Sequence, residues 1–158
     1  MNIKAEDSIK VKGQLTVIIR DAKSGKIKSI DVIKNMFVTR GKYAIAQRLA
    51  GQVVGDITYC ALGTSTTAPA LADTKLVTEI QRKLISVRSY LNNVATFQTF
   101  FTTAEGNGTL REAALFGNGV GQTASSSVDS GQIFCRTNIN RTKTVSDTLT
   151  LEWTITIT

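Results

Sequence analysis

A chain of 158 residues with a formal net charge of +7, no histidine, two cysteines and one proline is one ordinary domain. It is long enough to bury roughly 70% of its unfolded surface without a disulfide or metal staple. The absence of histidine excludes a Ser-His-Asp or Cys-His nucleophile pair, His-ligated zinc and an imidazole base, and two thiolates are too few for a cysteine-only zinc site.

Ile9, Val11, Leu15, Val17 and Ile19 keep one parity, with Lys10, Lys12, Gln14 and Thr16 between them. That alternation predicts a half-buried strand with a wet, basic outer face, broken at Gly13 by an expected bulge. A turn over residues 21–26 returns the chain as a second strand over 27–33, making a hairpin. Thr39 is expected to cap a helix running to about Ala50, with Ala44, Ile45, Arg48 and Leu49 at helical spacing and Gly51 closing it.

The apolar run Ile57–Gly63 predicts a strand buried on both faces. Residues 64–70 form a small-residue loop around the only proline, Pro69, and one helical turn is expected between Asp73 and Glu79. Residues 83–91 alternate as a single strand, and Asn92-Asn93 turns it into a partner over 94–102. Beyond the glycine turn at 106–108, residues 110–116 form a strand. The segment 117–131, with four Gly and four Ser, reads as a mobile surface loop. Strands over 133–139 and 146–158 end the chain. In the last, Leu149, Leu151, Trp153, Ile155 and Ile157 alternate with Thr148, Thr150, Glu152, Thr154, Thr156 and Thr158, so one face lies on a core and the other in water or against a neighbour. Seven to nine short strands and one helix predict a mainly β chain: an antiparallel β-sandwich with an N-terminal hairpin and one short helix.

The charge is placed unevenly. Residues 1–50 hold 11 basic and four acidic side chains, and the other 108 residues are net neutral. Two units are expected: residues 1–50 as a basic hairpin-helix lobe acting as an anchor, and residues 51–158 as the sandwich body. The candidate docking surface is Lys10, Lys12, Lys23, Lys26 and Lys28, facing an acidic partner. Nucleic acid fits poorly, because Phe37 and Tyr43 are the only aromatics in this stretch. No segment has the length and apolarity of a membrane span and the start is polar, so synthesis in the cytoplasm without export is expected.

Cys60 and Cys135 sit in apolar surroundings and are expected to be buried free thiols; a bond between them is left open. Glu105 and Glu112 are the nearest approach to the carboxylate pair of a glycosidase. Their expected roles are structural: turn solvation for Glu105, and an ion pair or backbone hydrogen bonds for Glu112. The glycines at 117, 119 and 121 lack the following helix of a nucleotide-binding loop. No catalytic residue, metal site or cofactor is expected, and binding or assembly ranks ahead of catalysis.

Four segments resemble a family of small β-sandwich structural proteins of tailed bacteriophages, of tail-fibre-like or capsid-decoration type. They are Tyr59-Cys-Ala-Leu-Gly-Thr-Ser-Thr-Thr-Ala-Pro-Ala-Leu-Ala-Asp-Thr-Lys-Leu-Val-Thr-Glu79; Arg82-Lys83; Gly106-Asn-Gly-Thr-Leu-Arg-Glu-Ala-Ala-Leu-Phe-Gly117; and Ser146-Asp-Thr-Leu-Thr-Leu-Glu-Trp-Thr-Ile155. The stretch from Lys12 to Lys26 resembles the lead-in of such proteins. The resemblance implies a non-enzymatic virion part made in the host bacterial cytoplasm. Its implied partners are other virion proteins, either the major capsid protein or tail and neck proteins, and copies of itself, as in a trimer. The loop residues Thr64, Ser65, Thr66, Thr67 and Pro69 are the candidate neighbour contact. A capsid decoration or cement subunit is the first expectation. A tail, neck or fibre-attachment subunit is the alternative, and a glycan- or receptor-binding sandwich the third.

Overall fold

The computed structural model describes residues 8–158; Lys4, Glu6 and Asp7, which belong to the charge count above, lie outside the described residues. The elements in chain order are β1 (Val11–Asp21), β2 (Ile27–Lys34), β3 (Met36–Phe37), α1 (Thr39–Leu49), β4 (Ile57–Gly63), β5 (Glu79–Leu84), β6 (Val87–Leu91), β7 (Val94–Phe101), β8 (Gly108–Gly117), β9 (Gln132–Lys143) and β10 (Asp147–Ile157). They form two five-stranded antiparallel sheets, β2-β1-β10-β7-β6 and β3-β9-β8-β4-β5. The fold is the expected antiparallel β-sandwich with one short helix.

The alternation of β1 and β10 explains the first sheet. Leu15 pairs with Trp153, Val17 with Leu151 and Ile19 with Leu149, and all six side chains are buried. Cys60, Leu62, Leu110, Leu115 and Cys135 from the second sheet join the same core. The sheets differ on their outer faces. A second buried cluster of Val38, Ala61, Leu76, Ala114, Phe116 and Ile133 forms with the second sheet. The opposite face of the first sheet stays open, with Ile30, Val32 and Phe100 exposed among threonines.

The division expected near residue 50 is not a division of the sheets. β1 pairs with β10 over eleven residues, from Val11↔Ile157 to Asp21↔Asp147, and lies inside the first sheet between β2 and β10. The N-terminal hairpin is part of the body.

Five local expectations are corrected. Gly13 is no bulge against β10, since the β1–β10 register runs through it unbroken; the irregularity lies at Ile19/Arg20 against β2. Its missing side chain makes room for Asn35, whose Oδ1 would stand 1.9 Å from an added Cβ. Thr39 is the first helical residue rather than the cap: Val38 holds the N-cap position, buried and without a capping side chain. Apolar packing against the second sheet has replaced the capping hydrogen bond there. Gly51 does close the helix, at φ +78°. Residues 73–78 form no helical turn, because their backbone N–H groups are used elsewhere, as described below. Residues 83–91 are two strands: the chain crosses between sheets at Ile85 and Ser86, whose N–H groups donate to the carbonyls of Thr58 and Gln98. The glycine- and serine-rich 117–131 segment is fastened. Ser130 accepts from Arg82 and donates to the Ser127 carbonyl, and Asn118 Oδ1 accepts from the Ala124 N–H.

The register settles the cysteines. Cys60 pairs with Leu115, and Leu115 pairs with Cys135. The thiols therefore stand two strands apart, about 10 Å, beyond the roughly 7 Å Cα limit of a disulfide. Both are buried and free, and burial pushes the Cys60 thiol up to about 12 and raises that of Cys135. A thiol reagent added to the native protein should find no reactive cysteine, and in denaturant it should find both. A native reading of one or two would contradict this packing.

Candidate functional site

The five lysines expected to dock do not share one patch. Lys10 and Lys12 stand at the start of β1, Lys23, Lys26 and Lys28 at its far end, and β1 is eleven residues long, about 35 Å. Lys28 is also compensated, its Nζ 2.6 Å from Asp147 Oδ1.

That pair carries a pH signature. The Lys28 hydrogen bond, with help from Thr144, holds Asp147 down at about 2 from an ordinary 3.8. A carboxyl depressed in the folded state stabilises above its unfolded value and loses that contribution as pH falls through the folded one. The component should be complete above about pH 4 and disappear towards pH 2. In acid unfolding curves, Asp147→Asn should flatten that window; an unchanged slope would contradict the assignment.

What the fold does bring together is a different trio. Lys12 from β1, Lys34 from the end of β2 and Lys42 from the first turn of α1 line one cleft of about 710 Å³. Gln14, Thr154, Thr156 and Thr158 complete its polar wall, and among the described residues no acidic side chain lines it. The Asn35 amide lies at the same cleft with both polar atoms buried and unpartnered among the described residues. All three lysines are exposed.

Among the described residues their charge is also uncancelled. Of the described acids, all but Asp21 and Glu152 sit in ion pairs: Asp31 with Arg141, Asp56 with Arg48, Asp73 and Glu112 with Arg136, Glu79 with Arg82, Glu105 with Lys83, Asp129 with Lys75 and Asp147 with Lys28. Lys12, Lys34 and Lys42 have no such partner among the described residues. Three like charges around a concave wall raise the local concentration of anionic groups. Lys34 was readable from the sequence only as a basic residue next to the second strand: counting outward from Arg20↔Ile27 puts Ile33 opposite Gln14, and the irregularity at Ile19/Arg20 shifts the ladder by one to bring Lys34 there. Lys42 was not, since nothing local states where α1 lands.

The expected contact loop 64–69 is sealed on one side. Glu112, fully buried, accepts from the N–H groups of Val77 (3.1 Å), Thr78 (2.8 Å) and Ser65 (3.4 Å). Its Oε2 lies 2.8 Å from Arg136 Nη2, also fully buried, and Arg136 donates onward to Asp73 at 2.7 Å and the Thr67 carbonyl at 2.8 Å. Glu112 thus does both things expected of it, an ion pair and backbone hydrogen bonds. Gly63 is required beside it, because an added Cβ would come 2.5 Å from Glu112 Oε1. Thr64, Thr66 and Thr67 remain exposed on the other side, with Ser65 and Pro69 half-buried.

Neighbouring polar groups are similarly occupied. Arg82 chelates both Glu79 oxygens at 2.7 Å and stacks 4.0 Å from the Phe116 ring centroid. Glu105 accepts from the Thr102 N–H and Lys83, as a turn residue.

Comparison with protein-family models, with curated proteins and with solved structures finds no match. Among the described residues no cluster of three metal-ligating side chains occurs, and no helix is long and apolar enough to cross a membrane.

Proposed function

We propose that the chain is a non-enzymatic structural subunit of a tailed-phage virion, a decoration subunit that binds the outer capsid lattice. The observation that carries the docking half of this reading is the Lys12–Lys34–Lys42 cleft, a concave wall with no acid among its described lining residues, on a chain whose described acids other than Asp21 and Glu152 are all engaged in ion pairs elsewhere. Its partner is an acidic surface of the major capsid protein. Support for the virion half comes from the four resembling segments. Their residues have joint work in the fold: Gly63, Ser65, Val77, Thr78 and Glu112 are in contact, and Trp153 lies in the core.

The test is the number of copies in purified particles, read by quantitative mass spectrometry. Hundreds of copies agree with decoration of a lattice, and about a dozen or fewer would assign the chain to the tail or neck instead. Absence from the particle would overturn the virion reading.

A further inference from the structure

The four sheet edges are treated differently. β2 carries Lys28, Asp31 and Lys34, with Asp31 bridged to Arg141 of β9 and the Lys34 carbonyl accepting from Thr137. β3 has two residues. On β5, Glu79 and Arg82 are held by the 129–130 backbone, and Lys83 by Glu105. β6 has none of this. All five of its residues are exposed, Tyr90 at 83% and Leu91 at 74%, and its one charge, Arg88, makes only a 3.4 Å contact with the Ile57 carbonyl. Edges with few charges and exposed apolar side chains are templates for another strand.

The backbone says which groups are open. Asn92-Asn93 closes β6 onto β7 as a two-residue hairpin with Leu91↔Val94 flanking it. In such a hairpin the flanking pair is hydrogen-bonded, so every second pair back along the ladder is too. Val87, Ser89 and Leu91 therefore bond to β7, and the N–H and C=O groups of Arg88 and Tyr90 point outward.

We infer that β6 is a self-pairing edge, joining two copies about a two-fold axis at Ser89 into one continuous ten-stranded sheet. The sequence Val87-Arg-Ser-Tyr-Leu91 is complementary to its own antiparallel copy in that register. Arg88 falls opposite the partner's Tyr90, so the outward groups make four hydrogen bonds and each guanidinium meets a ring instead of a like charge. Val87 falls opposite the partner's Leu91 on the open face of the sheet, and Ser89 opposite the partner's Ser89. The contact is isologous and closes at two copies. With five residues a side it is a weak interface, populated at high concentration or where copies are held close. This inference is independent of the virion reading, since it concerns the purified chain alone.

The full chain with Ser89→Cys, exposed to a mild oxidant, tests it. The native thiols are buried, so only the new one reacts. The register sets the two introduced sulfurs face to face across a non-hydrogen-bonded pair, and a dimer band should appear on a non-reducing gel. Arg88→Cys should give no dimer, because its counterpart in the partner lies beyond disulfide reach. A Ser89→Cys chain that stays monomeric, or equal cross-linking of the two variants, would overturn the proposal. A second pair of variants keeps the test open if a cysteine variant fails to fold. In sedimentation at about 100 µM, a concentration suited to a weak interface, Val87→Lys with Leu91→Lys should lose the dimer. Val87→Lys with Leu91→Glu should retain it, and identical behaviour of the two would overturn the register.

Discussion

Replacing Glu112 with alanine should destabilise the protein by about 3–5 kcal/mol, the cost of leaving a buried charge without its partner. Glu112 and Arg136 both have side chains with no exposure, and Glu112 alone gathers three N–H donors from residues 65–78. Removing it strands the Arg136 guanidinium with Asp73 and the Thr67 carbonyl, and orphans those N–H groups in a water-poor site. The loss should be visible in urea denaturation. Residues 64–78 should also become more open to protease in the folded variant, since Glu112 holds the N–H groups of Ser65, Val77 and Thr78 at both ends of the segment. Substituting both charged residues with apolar side chains of similar volume should be much milder. A cost below about 1 kcal/mol for Glu112→Ala would mean that water reaches the pair.

Removing residues 1–34 should abolish folding. If those residues were a detached basic lobe, the remainder would keep its core. They contain β1, whose Leu15 and Val17 are fully buried against Trp153 and Leu151, and whose eleven-residue ladder is one side of β10. Without β1, the hydrogen-bonding edge of β10 and the apolar face over the second sheet are exposed together. Circular dichroism and thermal unfolding of the truncated chain should show no cooperative transition. A cooperative transition with native strand content would restore the two-unit organisation. Loss of particle binding by such a truncation therefore says nothing about docking; charge reversal on the intact fold is the proper instrument.

Alternation carried much of the architecture because a strand with one wet face repeats every two residues. β10 and β1 follow that rule along their length, and their partnership gives one wall of the core. The rule fails where one residue is inserted or where both faces are covered. In β8 the register shifts between Leu110 and Glu112. The bulge lets Leu110 and Ala113 share one face and turns Glu112 to the other, beside Arg136. No spacing in the sequence announces it. The 73–78 segment has helix-compatible residues, and its backbone is claimed by a carboxylate 34 residues or more away. The site was partly legible for the same reason. Lysine enrichment near the N-terminus is a matter of counting, but Lys34 stands opposite Gln14 through the shift at Ile19/Arg20, which no spacing announces. The landing of α1, which brings Lys42 to the cleft, is decided by Val38 and Ala44 packing on the body.

On the proposed reading, the lysines gathered by the fold, rather than N-terminal charge in general, attach the chain to its particle. The direct measurement is per-particle occupancy of a Lys12→Glu, Lys34→Glu, Lys42→Glu variant beside a Lys23→Glu, Lys26→Glu variant, each confirmed as folded. All five side chains are exposed, so the fold should tolerate both. The cleft variant should bind roughly tenfold or more weakly, and the hairpin-tip variant close to the parent. Undiminished occupancy of the cleft variant would contradict docking through the cleft lysines.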